Sequence, residues 1–546
     1  MRLIGWETVI GLELHIQFRS SKKLFSASKT VWDSSPNTNV SVLDLGYPGT
    51  LPILSPGPVE LALQTALALG CTIPPRSMFD RKHYHYHDQP LGYQITQHYH
   101  PLALRGSLAI PTKPPKEIRI QQIQLEQDTA KTLGSLTNPN HSLIDFNRAG
   151  VGLMEVVTEP DLRSAEDAGA FVKTIRGVLR RIGASDADME KGSLRVDCNV
   201  SINRIGEPPG TRVEIKNLAS VQKLTLAVES EIKRHRALLE SGNKVLQETR
   251  GWDEGVQGTV ALRGKESLKD YRYMPDGNLP VLQIDPAYIQ SLQETLPVLP
   301  LQLLAKLREE YPTVPLSDLE TLLGLDPEFY SGVTYFKDLV KKRSCIDSDA
   351  KTKDNSEHKQ GEGRDPKTCS NWIINELLGE MRSQGKEWPS GSDLEPSMSA
   401  GVSVEEMGKL IDLLGERKLS APSAKTLLHH LVKSPPSPSR VSVLIQKHDL
   451  ISPVLTPASI RLALSALISS HPDLAETIKS RQKPAVLMKL VGLAREAFGG
   501  KVGLDGVKEE LEDLLDVKGV LERFLEEKKK RKESSGKRKR GGGADA

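Results

Sequence analysis

From residue 9 to residue 17 the chain alternates without a break. Ile10, Leu12, Leu14 and Ile16 form one set; Val9, Gly11, Glu13, His15 and Gln17 form the other. A period of two with one apolar side predicts a half-buried β-strand. Turn-rich stretches follow at Pro36-Asn37-Thr38-Asn39 and Tyr47-Pro48-Gly49. Further on the period lengthens to that of a helix. Phe171, Ile175, Val178, Leu179 and Ile182 share one face, opened by the capping-box spacing Ser164/Asp167 and closed by Gly183. Leu224, Val228, Ile232 and Leu239 make a second stripe that stops at Gly242. Both stripes predict helices packed on a sheet, so residues 1 to about 290 read as one α+β unit. The opposite faces carry Lys173, Arg176, Arg180, Lys233 and Arg236, which read as solvated.

From about 290 the pattern is helical. Leu301, Leu303, Leu304 and Leu307 precede Leu319, Leu322 and Leu323. Residues 345–367, CIDSDAKTKDNSEHKQGEGRDPK, have almost no apolar content and read as a disordered insert. Helical pattern resumes at Asn371-Trp372-Ile373-Ile374. Near Val402 a third unit begins: Ser403 and Glu406 form a capping box, and Met407, Leu410, Ile411 and Leu414 follow at helical spacing. Helices are expected to about Phe524. The terminal KKKRKESSGKRKRGGGADA is a basic low-complexity tail, equally readable as a nucleic-acid contact, a targeting signal or a solubilising end. The expected layout is an α+β unit over 1–290, an all-α unit over 291–400, a second all-α unit over 401–525 and a disordered basic tail over 526–546.

Composition narrows the class. With 38% hydrophobic and 26% charged residues, the 546-residue chain has material for ordinary cores. Its formal charge is only +3, so any nucleic-acid surface must be a local patch. Four cysteines, Cys71, Cys198, Cys345 and Cys369, include no C-x-x-C pair. That argues against structural zinc and against a disulfide framework, and for a reducing compartment. No run approaches the roughly 20 apolar residues of a membrane helix. The N-terminus is neither Arg- and Ser-rich like a transit peptide nor built around a secretory apolar core.

Candidate chemistry sits in the first unit. Glu13 and His15, two apart on a strand, point to one face, a spacing that suits a metal or an acid/base pair; an outward polar strand face produces the same pattern. Glu126 and Asp128, in Gln124-Leu125-Glu126-Gln127-Asp128, share a face if that segment is a strand. Glu155 stands in the apolar run of GLMEVVTEPD, where a carboxylate is costly unless paired or metal-bound. Glu13, His15, Glu126 and Glu155 together are hard oxygen donors with one nitrogen, a set that favours magnesium, or manganese, over zinc. A histidine-rich segment, His83, His85 and His87 interleaved with Tyr84 and Tyr86, then His98 and His100, fits a metal strand, an aromatic RNA-stacking face or plain surface residues. Walker-type, dinucleotide-binding and nucleophile-elbow motifs are absent, and there is no Ser/Lys-rich amidase signature.

These blocks, in this order, resemble the GatB family. The matching strings include VIGLELHIQ (9–17), KLFSAS (23–28), PNTNVSVLDLGYPGTLP (36–52), FDRKHYHYHDQPLGYQITQ (79–97), SLIDFNRAGVGLMEVVTEPDLRS (142–164), MEKGSLRVDCNVSI (189–202), TRVEIKNLAS (211–220), QETRGWDE (247–254) and DYRYMPD (270–276). From about 290 the likeness is looser, through NWIINELLGE (371–380) and the terminal helices. The resemblance implies an α+β cradle with a mixed or antiparallel sheet, a helical domain and a YqeY-like helical tail. It implies a glutamyl-tRNA(Gln) amidotransferase complex with an amidase A subunit and a small third subunit of C or F type. In such a complex this chain would use ATP and Mg2+, or Mn2+, to phosphorylate the glutamyl carboxylate of Glu-tRNA(Gln). Ammonia released from glutamine would then complete the carbon–nitrogen ligation. Glu13, His15, Glu126 and Glu155 would be the catalytic metal ligands, with Lys82, and less strongly Arg148 and Lys216, on phosphate. Lys418, Lys425, His429, His430 and Lys433 would face the tRNA.

Some positions depart from the family. Its usual H-x-E-E-D-x-G-K block reads here Gln124-Leu125-Glu126-Gln127-Asp128-Thr129-Ala130-Lys131, so a histidine and a glutamate have become amides without charge. His83 and His87 stand where the family has Asn and Pro, which argues against a shared histidine metal site. The loss of charge at Gln127 is the best support for an alternative, a non-catalytic tRNA-binding scaffold. A carboxylate–amine ligase acting on a small acid is the other. The polar insert and basic extension look eukaryotic, and with the resemblance they imply a mitochondrial matrix protein with no membrane association.

Overall fold

The computed structural model describes residues 5–134, 140–263, 271–341, 363–389, 398–399, 401–416, 418–434, 439–451, 457–481, 484–497 and 504–517. The chain divides into two compact units, 1–303 and 304–546.

The alternating N-terminal segment is strand β1, Trp6–Gln17, and its burial alternates residue by residue as the pattern predicts. It lies inside an eight-stranded sheet. The other strands are β2 (Ala103–Ile110), β3 (Lys116–Gln127), β4 (Gly152–Thr158), β5 (Leu194–Arg204), β6 (Val213–Lys216), β7 (Thr249–Asp253) and β8 (Gly258–Arg263). Their spatial order is β8-β7-β6-β5-β1-β4-β3-β2. The sheet is mixed: β6 and β7 are parallel, and the remaining neighbours are antiparallel.

Register places the chemistry. Across β1 and β5, Glu13 faces Asp197 and His15 faces Arg195. Across β1 and β4, His15 faces Glu155, and across β3 and β4, Gln124 faces Glu155. A slip of one residue would turn every one of these side chains to the other side of the sheet. Helices prevent it. Helices α2 (Ala165–Arg181) and α3 (Val221–Glu240) share one core with the apolar side of β1, and Ile10, Leu12, Leu14 and Ile16 are essentially inaccessible there with Phe171, Ile175, Leu224 and Val228. Each such side chain stabilises the fold by roughly 1.5–3 kcal/mol. The shorter α1 (Pro56–Ala68) joins the same core.

The helix ends follow the sequence. The Ser164 hydroxyl accepts the Asp167 amide and Gly183 closes α2 with a positive φ; Ser220 and Gly242 do the same for α3. Not every expected surface charge is free. Lys173 and Lys233 are exposed, but Arg176 Nε donates to the Ala187 carbonyl and Arg180 Nε to that of Asp186, tethering the turn after α2. The long segment between β1 and α1 is held from within. Lys23, fully buried, donates from Nζ to Asp44 at 3.0 Å and to the Phe146 carbonyl at 3.2 Å. Position 150 must be glycine: its φ is +79°, and a Cβ there would stand 2.6 Å from Asp44 Oδ1.

The second unit is helical among its described residues, apart from a short pairing of 398–399 with 402–403. Helix Pro300–Glu310, which begins just before the division at 303, and helix Leu316–Leu325 lie where the leucine pattern predicts them. The capping box at Ser403 and Glu406 forms in full. The last residues of the expected insert are structured. Arg364 is buried, donating to the Leu339 carbonyl and both carboxylate oxygens of Asp412, and a helix starts at Pro366. Residues 345–362 of the insert, Cys345 and the basic tail lie outside the described residues. A separate core gathers Leu464, Ile478, Leu487, Leu490 and Leu511.

One buried network closes the first unit. Glu231 on α3 is inaccessible and meets Arg234, His235, Arg250 and Thr259. Burial alone would raise its pKa, but the His235 imidazole 2.9 Å away and hydrogen bonds from Arg234 and Thr259 outweigh burial and hold the carboxyl down at about 2. Its stabilisation is therefore present above the ordinary carboxylate range and lost only as pH falls toward 2. Glu231→Gln is expected to lower the unfolding free energy by about 3 kcal/mol, because it removes the buried charge that Arg234 and Arg250 share, leaving Glu248 as their one acidic partner among the described residues. Urea denaturation at pH 7 measures this, and a loss no larger than that of a surface substitution would contradict it.

Candidate active site

The polar side of β1 faces away from the helices. There His15, Glu126 and Glu155 converge, each offering a ligand atom within 4.8 Å of the others. His15 Nε2 lies 3.6 Å from Glu126 Oε1 and 4.0 Å from Glu155 Oε2. Both carboxylates are buried. Their direct hydrogen bonds are few and neutral: Gln124 Nε2 donates to Glu155 at 2.6 Å, and Thr96 Oγ1 donates to Glu126 at 3.2 Å. Among the described residues no lysine or arginine comes within ion-pair distance of either. The electrostatic result is marked. Burial first, and the neighbouring Glu126 second, push the Glu155 pKa up to about 7 against the opposing influence of His15 and Lys82.

His15 and Glu126 of the trio line a cavity of 530 Å³ whose walls also include Lys82, Asp128, Arg195, Asp197 and Lys216. Lys82 comes from a short strand, Asp80–His83, and its Nζ lies 5.1 Å from the centre of the Tyr271 ring. Burial would lower its pKa, but Glu126, Tyr273 and Glu155 outweigh that, so it stays protonated. No carboxylate stands within ion-pair distance of it among the described residues. Lys216 is different: Asp197 at 2.8 Å and Glu214 at 3.1 Å hold it.

Glu13 shares the sheet face but not the trio. Its carboxylate groups with those of Asp197 and Glu214 and accepts from Asn199 Nδ2 at 3.0 Å. Its charge still reaches Glu155 and helps raise that pKa. Arg148 is spent on the backbone: Nε donates to the Thr129 carbonyl and a terminal nitrogen to that of Ala130, with Asp128 3.8 Å away. Arg195, which no motif singles out, lines the cavity and pairs with Asp128 at 2.9 Å. Only its register opposite His15 could have drawn attention to it. Gln124 is likewise in the site, with its NH2 turned to Glu155 and its oxygen accepting from Gln122. As placed, it offers the site a donor rather than a ligand oxygen. Gln127 follows Glu126 by one residue on β3, so its side chain leaves the opposite face and its neutrality takes no charge from the trio.

The histidine-rich segment holds no metal set among the described residues. His83 Nδ1 meets the Arg272 carbonyl at 3.0 Å, and His87 Nε2 meets Thr132 Oγ1 at 2.8 Å. Cys71, Cys198 and Cys369 are buried and unpaired, with thiol pKa values pushed up by burial, to about 12 for Cys71 and Cys369.

In the second unit the expected basic cluster is partly neutralised. Lys418 pairs with Glu416, Lys425 with Glu376 and His429 with Glu380. His430 stacks on His448 with centroids 3.8 Å apart. Its pKa is lowered by burial and then by His448, His429, Lys433 and Lys447. Lys433 and Lys447, the second unforeseen in the sequence, have no acidic partner among the described residues and flank the stacked imidazoles.

A mixed sheet packed on helices, with two buried carboxylates and an imidazole meeting beside a polar cavity, defines an α+β domain that carries a set of hard oxygen and nitrogen donors. Residues 8–290 match the family described as the GatB/GatE catalytic domain, and residues 356–515 match the family described as the GatB domain. The chain belongs to the GatB family. It is 42% identical to the B subunit of the mitochondrial glutamyl-tRNA(Gln) amidotransferase of Cryptococcus neoformans, over 94% of each chain. It is 41% identical to the protein of the same name from Laccaria bicolor, over 94% of this chain and 92% of that one. The B subunit of the aspartyl/glutamyl-tRNA(Asn/Gln) amidotransferase of Methylorubrum populi is 38% identical over 94% and 97%.

The raised pKa of Glu155 makes a stability prediction. A carboxyl held above its unfolded value contributes full stability at low pH and loses it as pH rises through about 7. Without divalent ions at pH 8, Glu155→Gln is expected to stabilise the chain by about 2 kcal/mol, with little effect near pH 4. Added Mg2+ should stabilise the parent and not the variant. Thermal unfolding across pH checks both, and a destabilised variant at pH 8 would contradict the charge repulsion.

Proposed function

We propose that this chain is the B subunit of a glutamyl-tRNA(Gln) amidotransferase, as its relatives are named. One observation carries the reading: two buried carboxylates meet beside an imidazole, and Lys82, without an ion-paired acid among the described residues, lines the cavity that His15 and Glu126 also line. A divalent cation fits that donor set, since it would relieve the repulsion that raises the Glu155 pKa. His15, Glu126 and Glu155 would hold it, with Glu13 close by, and when bound it would supply charge neutralisation for phosphoryl transfer. The remaining work belongs to the chain. Lys82 draws in and orients the γ-phosphate of ATP. The cavity receives the glutamyl group at the end of the mischarged tRNA. The glutamyl carboxylate oxygen bonds to the γ-phosphorus as the bond to ADP breaks. Ammonia then attacks the acyl carbon, phosphate leaves with the bond electrons, and loss of a proton yields the amide. Arg148 and Lys216, bound to acids or backbone, position the walls. Asp128, clamped by Arg195, does the same.

Ammonia would come from glutamine hydrolysed by an amidase A subunit, with a small C- or F-type subunit completing the complex. The tRNA body would lie on the helical parts, in a three-part organisation of 1–290, 291–400 and 401–525. The fungal relatives are named mitochondrial, which supports the same compartment for this chain. None of the described helices is long and apolar enough to cross a membrane. The scaffold alternative leaned on the lost charge at Gln127; that side chain faces away from the trio, so the enzymatic reading is favoured.

In the reconstituted complex, Glu126→Gln and Glu155→Gln should each cut transfer of the γ-phosphate from ATP to glutamyl-tRNA by about 100-fold, while glutamine hydrolysis by the partner continues. Gln127→Glu should leave both rates unchanged. Full transamidation by either glutamine variant would remove the site from the reaction, and amidation of free glutamate without tRNA would favour the small-acid ligase instead.

A further inference from the structure

Glu126 and Glu155 are joined to each other by side chains that bring no charge. Gln124 stands on β3 two residues before Glu126 and opposite Glu155 of β4. Its Nε2 donates to Glu155 Oε2 at 2.6 Å and to Thr96 Oγ1 at 3.4 Å. The Thr96 hydroxyl in turn donates to Glu126 Oε2 at 3.2 Å. Behind Gln124, Gln122 Nε2 donates to Gln124 Oε1 at 2.7 Å. Gln124, Thr96, Glu126 and Glu155 are all buried.

The direction of each hydrogen bond in this relay is fixed. An ionised carboxylate only accepts, so the amide turns its NH2 to Glu155 while Gln122 holds the amide oxygen on the other side. Thr96 accepts the second N–H and has one proton to give, which goes to Glu126. One amide therefore serves both carboxylates, the first directly and the second through a hydroxyl. Glu126 is left with Oε1 toward His15, 3.6 Å away. The relay also reaches the strand that carries Lys82. Thr96 ends the strand Tyr93–Thr96, which pairs with Asp80–His83 and sets Gln94 opposite Lys82. Gln94 Nε2 donates to the Gln127 carbonyl at 2.8 Å, and Gln97 Oε1 accepts the Leu125 amide at 2.9 Å, so this strand is fastened to β3.

We propose that Gln124 is the positioning residue of the cation site, aiming both carboxylates at the ion through its NH2 and the Thr96 hydroxyl. The inference rests on the reading of the cavity above. A lysine or arginine in this place would also fix the oxygens, but it would cancel the charge that a divalent ion needs. An amide fixes them and leaves their charge intact, and it does not ionise. Partners behind the ligands orient them and tune the ion they hold. The departure from the family's histidine at this position then has a use. A neutral imidazole carries one N–H and could serve only one of the two acceptors, whereas the glutamine NH2 serves both.

The test uses the full chain in its reconstituted complex, with Mn2+ as the probe read by electron paramagnetic resonance. The signal of the free ion gives the Kd, and the line shape of the bound ion reports how uniformly its ligands are placed. Gln124→Met keeps the length and loses the amide; Thr96→Val keeps the shape and loses the hydroxyl. Each should raise the Mn2+ Kd about tenfold and broaden the bound spectrum, because the carboxylates settle in several orientations. Thr96→Ser should match the parent in both readouts, a rescue that a packing role would not give. A parent-like Kd and spectrum in Gln124→Met overturns the proposal. Thr96→Ser as weak as Thr96→Val overturns the relay to Glu126. Should Gln124→Met unfold at a lower temperature without the ion, the Thr96 pair decides, since valine and serine both fit a strand. Equal Mn2+ binding by the parent and Glu155→Gln would overturn the reading of the cavity itself. A parent that binds Mn2+ more tightly than Glu155→Gln, with Gln124→Met unaffected, removes only the role of Gln124.

Discussion

Two buried carboxylates that repel one another beside a polar cavity govern this protein. Glu126 and Glu155 come from adjacent strands and are buried together, with an imidazole but no ion-paired cation beside them. An arrangement of that kind costs free energy in the isolated chain. It persists because the opposite side of the same strands is locked into a helix-covered core, where Ile10, Leu12, Leu14 and Ile16 leave no freedom to slip. The core supplies the stability that the site spends, as is usual where function needs a locally unfavourable charge.

The cations around the cavity divide by their partners. Arg195 and Arg148 clamp Asp128 and the backbone after it, and Lys216 is shared by Asp197 and Glu214. These charges are cancelled where they stand, and their effect is to stiffen the walls. Lys82 keeps its charge for whatever enters, because its attraction to Glu126 and Glu155 is long-range. A half-buried ammonium near an acidic trio but outside contact with it suits a substrate that brings both a phosphate and a carboxylate. The same division holds in the helical unit, where Lys418, Lys425 and His429 are paired with acids, and Lys433 and Lys447 have no acidic partner among the described residues.

Legibility followed the range of the interaction. The first strand, both long helices with their caps and glycine stops, and the leucine helices after 300 were readable because each rests on neighbours within a few residues. The acidic candidates were readable too, since a carboxylate in an apolar run such as the one around Glu155 needs a reason. Arg195 was not, because nothing local distinguishes it from any arginine on a strand. The place of Glu13 beside Asp197 and Glu214 also depends on which strand lies on which side of β1. Arg364 was read as part of a featureless polar insert, and its burial against Asp412, 48 residues away, has no local signature.

The residue pattern by itself determined the elements, the side of each strand and helix that is buried, and the kinds of donor available for a hard cation. Periodicity and charge are properties of the chain alone. Only the tertiary structure decided which donors meet. It set β4 between β1 and β3, joined His15 to Glu126 and Glu155, and lined up Tyr271 and Tyr273 with His98 from a segment far back in the chain. Those meetings are contacts between strands and loops distant in sequence, chosen by the packing of the whole core, and no window along the chain contains them.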